Sequence, residues 1–505
     1  MARRCAIVSV LSGRSIISPH ETGLCEMTNR PKRQRELHLG LMFWAGGTHP
    51  AGWRMPSSKA DAAFDIEFLQ YVTQLAEKAK FDFLFLGDRL ATDPGLQATN
   101  PAQMSRLEPF ISGASLAAAT SHIGIVVTAN PTYYDPFTVA RLFASLDHLS
   151  KGRASWNIVT GADSIAAANF SRDSHWETDK RYDWADEFVD VVKGLWDSFE
   201  DDAFVRDPVR GTYVDPTKVH KLNHKGQNFA VEGPLNVARP VQGHPVILHA
   251  GTSERSRELG ARDADVIFAG QGTIGAAKAY YADMKARAVK YGRDELDFSI
   301  LPGLTPIVAP TTEEAVVIYD SLNGFLVLDK EDNNAQEVRF GGLGRNALRN
   351  LTRVSSILGV DVRGSDHEAA VPRHVAEQAS PEGQALIAEA TRRTRRTLEG
   401  ETPLLFKDLI YTTISSGAVV VGNPGEVADF IELWFREKAA DGFNIFPPYV
   451  PESVEAFVDL VVPELQKRGF YRADYSGYTF RDHLGLARPE NRFAAKDAAT
   501  SSKVA

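Results

Sequence analysis

From Met27 almost to the C-terminus the chain alternates between two hydrophobic rhythms. Short, nearly continuous apolar runs read as strands buried on both faces. Each is followed by a segment whose apolar residues recur every three to four positions, the spacing of an amphipathic helix. The runs Glu36–Trp44 (ELHLGLMFW), Phe81–Asp88 (FDFLFLGD), Ile123–Asn130 (IGIVVTAN) and Arg153–Thr160 (RASWNIVT) predict the first four strands. Helical spacing follows over Asp65–Lys80, Glu108–Thr120, Asp135–Ser150 and Arg181–Phe199, the last with Trp184, Phe188, Val191, Val192, Leu195 and Trp196 on one side. Strands resume at Val246–Ala250, Asp265–Gly270, Phe298–Ala309 and Gly442–Pro448. Helices are predicted over Ser253–Ala264, Gly275–Gly292, Thr311–Gly324, Asn423–Ala440 and Ser453–Arg468, with Pro424 well placed in a first turn.

Repeated strand–helix units imply a parallel sheet covered on both faces. Eight such strands suit an α/β fold of the closed TIM type, a (β/α)₈ barrel with insertions. An open doubly wound sheet is the alternative, but no Gly-x-Gly-x-x-Gly follows the first strand, which speaks against a Rossmann nucleotide site. The expected organisation is one barrel over residues 31–480, interrupted at about 200–244 and 327–405. The first interruption is rich in Gly, Pro and Asn and predicts short strands and loops. The second reads as a helical insertion, with a glycine cluster at 340–344 (FGGLG) and the run RRTRR at 392–396, expected to be a solvated helix face. Residues 1–30 read as a disordered or artefactual leader, because the apolar run Cys5–Leu11 is too short for a signal peptide and Met27 offers a second start. After Tyr475 the chain turns polar, and a tail over 481–505 is expected to wrap the surface or be disordered.

Composition narrows the partners. There are 56 Lys and Arg against 65 Asp and Glu, a formal charge of −9, which disfavours nucleic acid or an anionic membrane as a partner. No apolar stretch is long enough to span a bilayer. The only cysteines, Cys5 and Cys25, leave no disulfide framework or thiolate metal site in the main body, and a cytoplasmic setting is expected.

In a barrel of this kind, polar residues at strand C-termini face the active site. Here they are Asp88, Thr128 and Asn130, Asn157 and Thr160, and then Gly251-Thr252-Ser253. No His and carboxylate cluster ends the strands, so no metal is expected. Asp88 stands alone, so a glycosidase carboxylate pair is not expected either. Neutral hydrogen-bonding groups instead suit a planar cofactor. The strand-to-helix turn His249-Ala-Gly-Thr-Ser253-Glu-Arg-Ser presents free backbone N–H groups to an anion such as phosphate, while Thr252 or Ser253 can equally be a plain helix cap. Purely structural readings stand beside the others: Asp88 as a loop cap, Asn157 satisfying buried backbone, Tyr182 as helix-start packing. His49, Trp53 and Arg54 either line a substrate pocket or lie on a surface loop. His148 and His175 read as solvated or capping histidines.

The motifs FLGD (85–88), VVTAN (126–130), SWNIVTG (155–161), RYDWADEF (181–188) and AGTSERSRELGARDAD (250–265), with LGLMFWAGGTHPAGWR (39–54), resemble those of flavin-dependent monooxygenases. The similarity is to the family of nitrilotriacetate monooxygenase component A and dibenzothiophene-sulfone monooxygenase, within the bacterial-luciferase-like superfamily. It covers about 35–310 and 405–470. The resemblance implies reduced FMN (FMNH₂) supplied by a separate NAD(P)H:flavin reductase, with O₂ forming a flavin peroxide that oxygenates a small organic substrate. It implies a homodimer or homotetramer. Carried over by position, Asp88, Thr128, Tyr182 and Ser253 match FMN-binding positions, Tyr182 and Ser253 at the phosphate, with Asn157 beside the ring. The family's usual His-Asp-x-Arg-Tyr is Thr178-Asp-Lys-Arg-Tyr182 here, so Thr178, or nearby His175, takes the histidine's place. A hydride-transferring relative that uses a flavin or deazaflavin is the alternative within the superfamily.

Overall fold

Eight parallel strands close into a ring. In the computed structural model, which describes residues 34–161, 165–326, 347–415 and 417–494, the ring belongs to a compact unit beginning at Arg35. In chain order the strands are β1 (His38–Met42), β2 (Phe83–Leu86), β3 (Gly124–Ala129), β4 (Ala154–Ile158), β5 (His224–Lys225), β6 (Ala230–Val231), β7 (Val246–Ala250), β8 (Val266–Ala269), β9 (Ser299–Val308), β10 (Ala418–Gly422) and β11 (Gly442–Ile445). The ring runs β1-β2-β3-β4-β7-β8-β9-β11 and returns to β1, and every pairing is parallel. These eight are the strands read in the sequence, and the fold is the TIM-type barrel.

One strand was missed. β10 pairs with the outer half of the long β9, from Ala418 opposite Leu304 to Gly422 opposite Val308. Its run of valines carries a strand signal, but it lies just past the boundary assigned to the insertion.

Alternation along the strands separates two cores. Leu39 and Leu41, Leu84 and Leu86, and Ile125 and Val127 face the surrounding helices. Met42, Phe83, Phe85, Val126, Leu248, Leu301 and Phe446 form another cluster with Phe480 and Leu484, which fills the ring's interior. Two glycines make room for rings at its base. A Cβ on Gly40 would fall 2.2 Å from the Phe83 ring, and one on Gly124 would fall 2.6 Å from Phe480. The two rings meet at 5.8 Å.

The tail after Tyr475 is therefore a plug at Phe480 and Leu484 before it wraps the surface, where Arg488 pairs with Asp201 and Asn491 donates to the carbonyls of Asp197 and Phe199. Thr479 and Asp482 form a capping box on the short helix Phe480–His483. Phe480 donates its N–H to Gly152, and Arg481 pairs with Asp265 at 2.9 Å. Nearby, Asp82 accepts from the Leu39 N–H at 2.8 Å and pairs with Arg472 at 2.7 Å and with His38 at 2.9 Å. Burial alone would raise the Asp82 carboxyl, but Arg472 and His38 hold it below its ordinary value.

The remaining elements attach at the flanks. Glu187 anchors the β5–β6 hairpin by accepting from His224, Asn228 and Phe229. Helices Ala347–Leu358, Arg373–Gln378, Pro381–Thr394 and Phe406–Thr412 build a core of their own around Val354, Leu358, Leu409 and Ile410. The RRTRR run is not a solvated face. Arg392 and Arg395 donate to the β10 carbonyls of Val419 and Val421, buried Arg393 donates to Thr412, and Arg396 pairs with Asp320 and Asp408. Guanidinium groups satisfy carbonyls on β10 and thereby clasp the helices to the barrel. The leader at 1–30 and the glycine cluster at 340–344 lie outside the described residues.

His483 sets a pH response. It is fully buried beside Tyr475, with ring centres 4.7 Å apart, and neither ring nitrogen has a partner. Burial lowers its pKa to about 4, against 6.5 when free. Because the unfolded chain binds the proton more readily, its contribution is constant above pH 6.5 and turns unfavourable as pH falls toward 4, by about 1.4 kcal/mol per unit. In urea titrations, His483→Phe should lose less stability between pH 7 and 5 than the wild type, and an equal loss would refute this. Phe480→Ala should cost about 3–5 kcal/mol in the same assay.

Candidate active site

The predicted polar residues lie on one arc of the ring, at the C-terminal ends of β2, β3, β4 and β7. Thr128 and Asn157 are in direct register, and Asn157 is in register with Leu248 on β7. The Thr128 hydroxyl donates to the Leu86 carbonyl at 2.8 Å and accepts from Asn157 Nδ2 at 2.8 Å. A carbonyl can only accept, so these bonds fix the amide's orientation and make Oδ1 its free end. That oxygen is buried and has no partner. It is an acceptor suited to an N–H donor of a bound group.

Asp88, two residues past β2, is half-buried and accepts the N–H of Arg89 at 2.7 Å. Burial raises its carboxyl above the ordinary value, against the opposing pull of the Arg89 N–H and of Arg106. The Tyr134 hydroxyl, pushed up to about 12 by burial and by the carboxylates Asp88 and Glu108, stays protonated.

The second half of the site is the turn after β7. His249 Nδ1 lies 2.9 Å from the Ile158 carbonyl and must donate to it, while Nε2, 2.8 Å from Ser256 Oγ, accepts that hydroxyl's proton. Burial lowers the His249 pKa, which keeps it neutral in this tautomer. Ser256 is thereby drawn beneath Gly251, whose φ of +150° and lack of a side chain are both required. A Cβ there would fall 2.0 Å from Ser256 Oγ. Ser253 caps helix Glu254–Asp263 by accepting from the Ser256 N–H at 3.3 Å. Tyr280 holds the Gly251 carbonyl at 3.1 Å.

Tyr182 reaches the same turn. It is buried, packs edge-on to His249, and its hydroxyl would lie 3.8 Å from a Cβ on Gly251. It sits in the second turn of helix Thr178–Trp196, which begins three residues before the predicted start. Tyr182 and Ser253 are thus brought together at a helix N-terminus, where N–H groups and the dipole favour an anion.

Thr178 opens the same helix, one turn before Tyr182. It is exposed and accepts from Arg181 at 3.1 Å. Arg181 in turn ties the helix start to the β4 exit, through the carbonyls of Thr160, Gly161 and Trp176. His175 bonds Tyr133 at 2.8 Å and Gly161 at 3.3 Å, so it braces the same exit. His148 lies 3.2 Å from the Ala238 carbonyl, away from the arc.

The loop after β1 covers another side. His49 Nδ1 accepts from the Ala51 N–H at 3.2 Å, so Nε2 faces Asn323 Oδ1 as a donor at 3.4 Å. Burial lowers the His49 pKa to about 4, and it remains neutral. Arg54 donates to the Phe325 carbonyl at 2.6 Å and stacks on that ring. His49 and Arg54 fasten the loop to the end of helix Thr312–Gly324 rather than standing free. Trp44, Gly87 and Arg106, with Phe43, Leu86 and Leu107, line a small pocket that opens to solvent between the β1 and β2 exits. Sequence reading missed Trp44, Arg106 and Tyr134 as site residues. Only Trp44 ends a predicted strand, and the other two carry no motif. Among the described residues no cluster of His, Cys, Asp or Glu could hold a metal, and no helix is long and apolar enough to cross a membrane.

Residues 43–441 match the luciferase-like monooxygenase family. The chain is 42% identical to nitrilotriacetate monooxygenase component A of Aminobacter aminovorans, over 91% of this chain and 98% of that one. It is 40% identical to the N-acetyl-S-(2-succino)cysteine monooxygenase of Bacillus subtilis, over 92% and 99%. It is 36% identical to the dibenzothiophene-sulfone monooxygenase of Rhodococcus erythropolis, over 91% and 98%. Among solved structures, the EDTA monooxygenase of Chelativorans sp. BNC1 superposes with a TM-score of 0.70 at 30% identity, covering 90% of this chain and 99% of that one. The barrel, its strand-end arc and these similarities agree: the chain belongs to the luciferase-like monooxygenase family and is an enzyme of the flavin-dependent monooxygenase kind.

Proposed function

We propose that the chain is the oxygenating component of a two-component system, taking FMN in its reduced form from a separate NAD(P)H:flavin reductase and using O₂ to oxygenate a small organic substrate. The observation that carries this reading is the pairing of a neutral, donor–acceptor arc with an anion cradle on one face of the barrel. The partnerless Asn157 oxygen suits a ring N–H, and the Gly251–Ser253 turn suits a phosphate. The monooxygenase names of the relatives support oxygen transfer rather than hydride transfer, and one of them is named as a component A.

In this reading Asp88, Thr128 and Asn157 hold the ring, while Tyr182 and Ser253 hold the phosphate. Thr178, whose hydroxyl proton is still free to donate among the described residues, stands one helical turn before Tyr182. The reduced flavin, when bound, supplies the electrons that activate oxygen. The protein's part is to bind, orient and exclude water. Thr128 fixes the Asn157 amide, and neutral His249 fixes the turn through Ser256. Neither step needs a group that titrates near neutrality.

Two measurements test this. Supplied with FMN, NADH and a general flavin reductase, the protein should convert a member of a panel of aminocarboxylates, thioethers and sulfones to a product carrying one ¹⁸O atom from ¹⁸O₂. Hydrogen peroxide as the sole oxygen product across the panel would defeat the reading. Ser253→Ala and Tyr182→Phe should each weaken reduced FMN by about ten- to a hundredfold, the value of one hydrogen bond to a charged group. Neither should weaken reduced riboflavin, which lacks the phosphate. Equal losses for both ligands would place the phosphate elsewhere.

A further inference from the structure

The pocket between the β1 and β2 exits contains a cation that no carboxylate touches directly, with Asp88 acting on it only from a distance. Arg106 lies in the non-helical segment 104–108 and lays its guanidinium on the Trp44 face, 4.1 Å from the ring centre. Its hydrogen bonds are long: 3.5 Å to the Gly87 carbonyl and 3.3 Å to the Gln103 carbonyl. Among the described residues no carboxylate forms an ion pair with it. Burial lowers its pKa to about 10, and the field of Asp88 only partly offsets that burial.

The indole beside it adds a second donor. Trp44 Nε1 is buried and has no partner. The rest of the wall is largely apolar, with Phe43, Leu86 and Leu107. A half-buried cation and an unused N–H in an apolar pocket are costly unless a bound acceptor meets them. The planar guanidinium fork matches a carboxylate in two parallel bonds. This anion site is also separate from the phosphate cradle, because β3 and β4 stand between β2 and β7 in the ring.

We propose that Arg106 and Trp44 form a subsite that recognises a carboxylate of an organic-acid substrate, with Phe43, Leu86 and Leu107 receiving its carbon skeleton. The inference rests on the oxygenase reading above and specifies the substrate class of the same site. Arg106 is then the specificity residue, and it takes no proton in the reaction.

Calorimetric titration of the full chain, with and without FMN, would use nitrilotriacetate and N-acetyl-S-(2-succino)cysteine as probes. Uncharged trimethyl nitrilotriacetate and dibenzothiophene sulfone would be controls. At least one carboxylate should bind. Arg106→Gln should weaken it about tenfold or more, the loss of a charge-assisted bond, and Arg106→Lys should weaken it less. Trp44→Phe, which keeps the stacking face and removes the N–H, should weaken it several-fold. None of the three substitutions should alter binding of the neutral controls. If Arg106→Gln lowers the melting temperature, Arg106→Lys and Trp44→Phe carry the comparison. Unchanged carboxylate affinity in the variants, or no binding of either acid to the wild type, would overturn the inference. A failure of the oxygenase reading would show separately, as loss of reduced-FMN binding in the wild type.

Discussion

A closed parallel ring must fill its own interior with side chains, and how this ring does so decides where function can sit. At the N-terminal end the filling is aromatic and tight. Phe83 lies over Gly40, and Phe480 lies over Gly124 after returning from more than 350 residues away in sequence. At the other end the filling gives way to Thr128 and Asn157, whose hydrogen bonds leave one amide oxygen unmet. A polar group buried in that state is tolerated because the base is so well packed, and in the proposed function a bound group would complete the set.

The same division appears in the charges. Asp82 with Arg472, and Asp265 with Arg481, are closed ion pairs that fasten the plug, and His38 bonds the same Asp82 carboxylate. At the exits, the titratable groups are held neutral or left without a close partner. His249 and His49 are kept uncharged by burial, Tyr134 stays protonated, and Arg106 finds only distant carbonyls. Paired charge fastens one end of the barrel, and at the other the ionisable groups are neutral or loosely met.

Which features were legible in the sequence follows from the range of the forces involved. The eight ring strands announce themselves because burial on both faces makes each a continuous apolar run. The strand-end residues Asp88, Thr128, Asn157 and Ser253 follow from the rule that exits face the site. The turn at Gly251 was recognisable, since glycine and hydroxyl residues between strand and helix have a local meaning. The plug was not, because Phe480, His483 and Leu484 sit in a stretch of polar composition and their burial depends on an interior assembled by eight remote strands. The RRTRR run was misread for the same reason. Charge suggests solvent until β10 is seen to offer it carbonyls. Arg106 carries no pattern at all, as its significance lies in the partner it lacks.

Thr178 shows how a departure from a motif is judged once the fold is known. In sequence it looks like a missing phosphate ligand. In three dimensions the start of its helix is set by Arg181, which spans the carbonyls of Trp176, Thr160 and Gly161, and the position of Tyr182 follows from that brace. The cradle at Gly251 is shaped from the opposite side, by Ser256 beneath and His249 behind. Neither support passes through residue 178. In the proposed function a histidine there would add one more donor to a cradle already built, so its replacement by threonine would change how strongly a phosphate is held and not where.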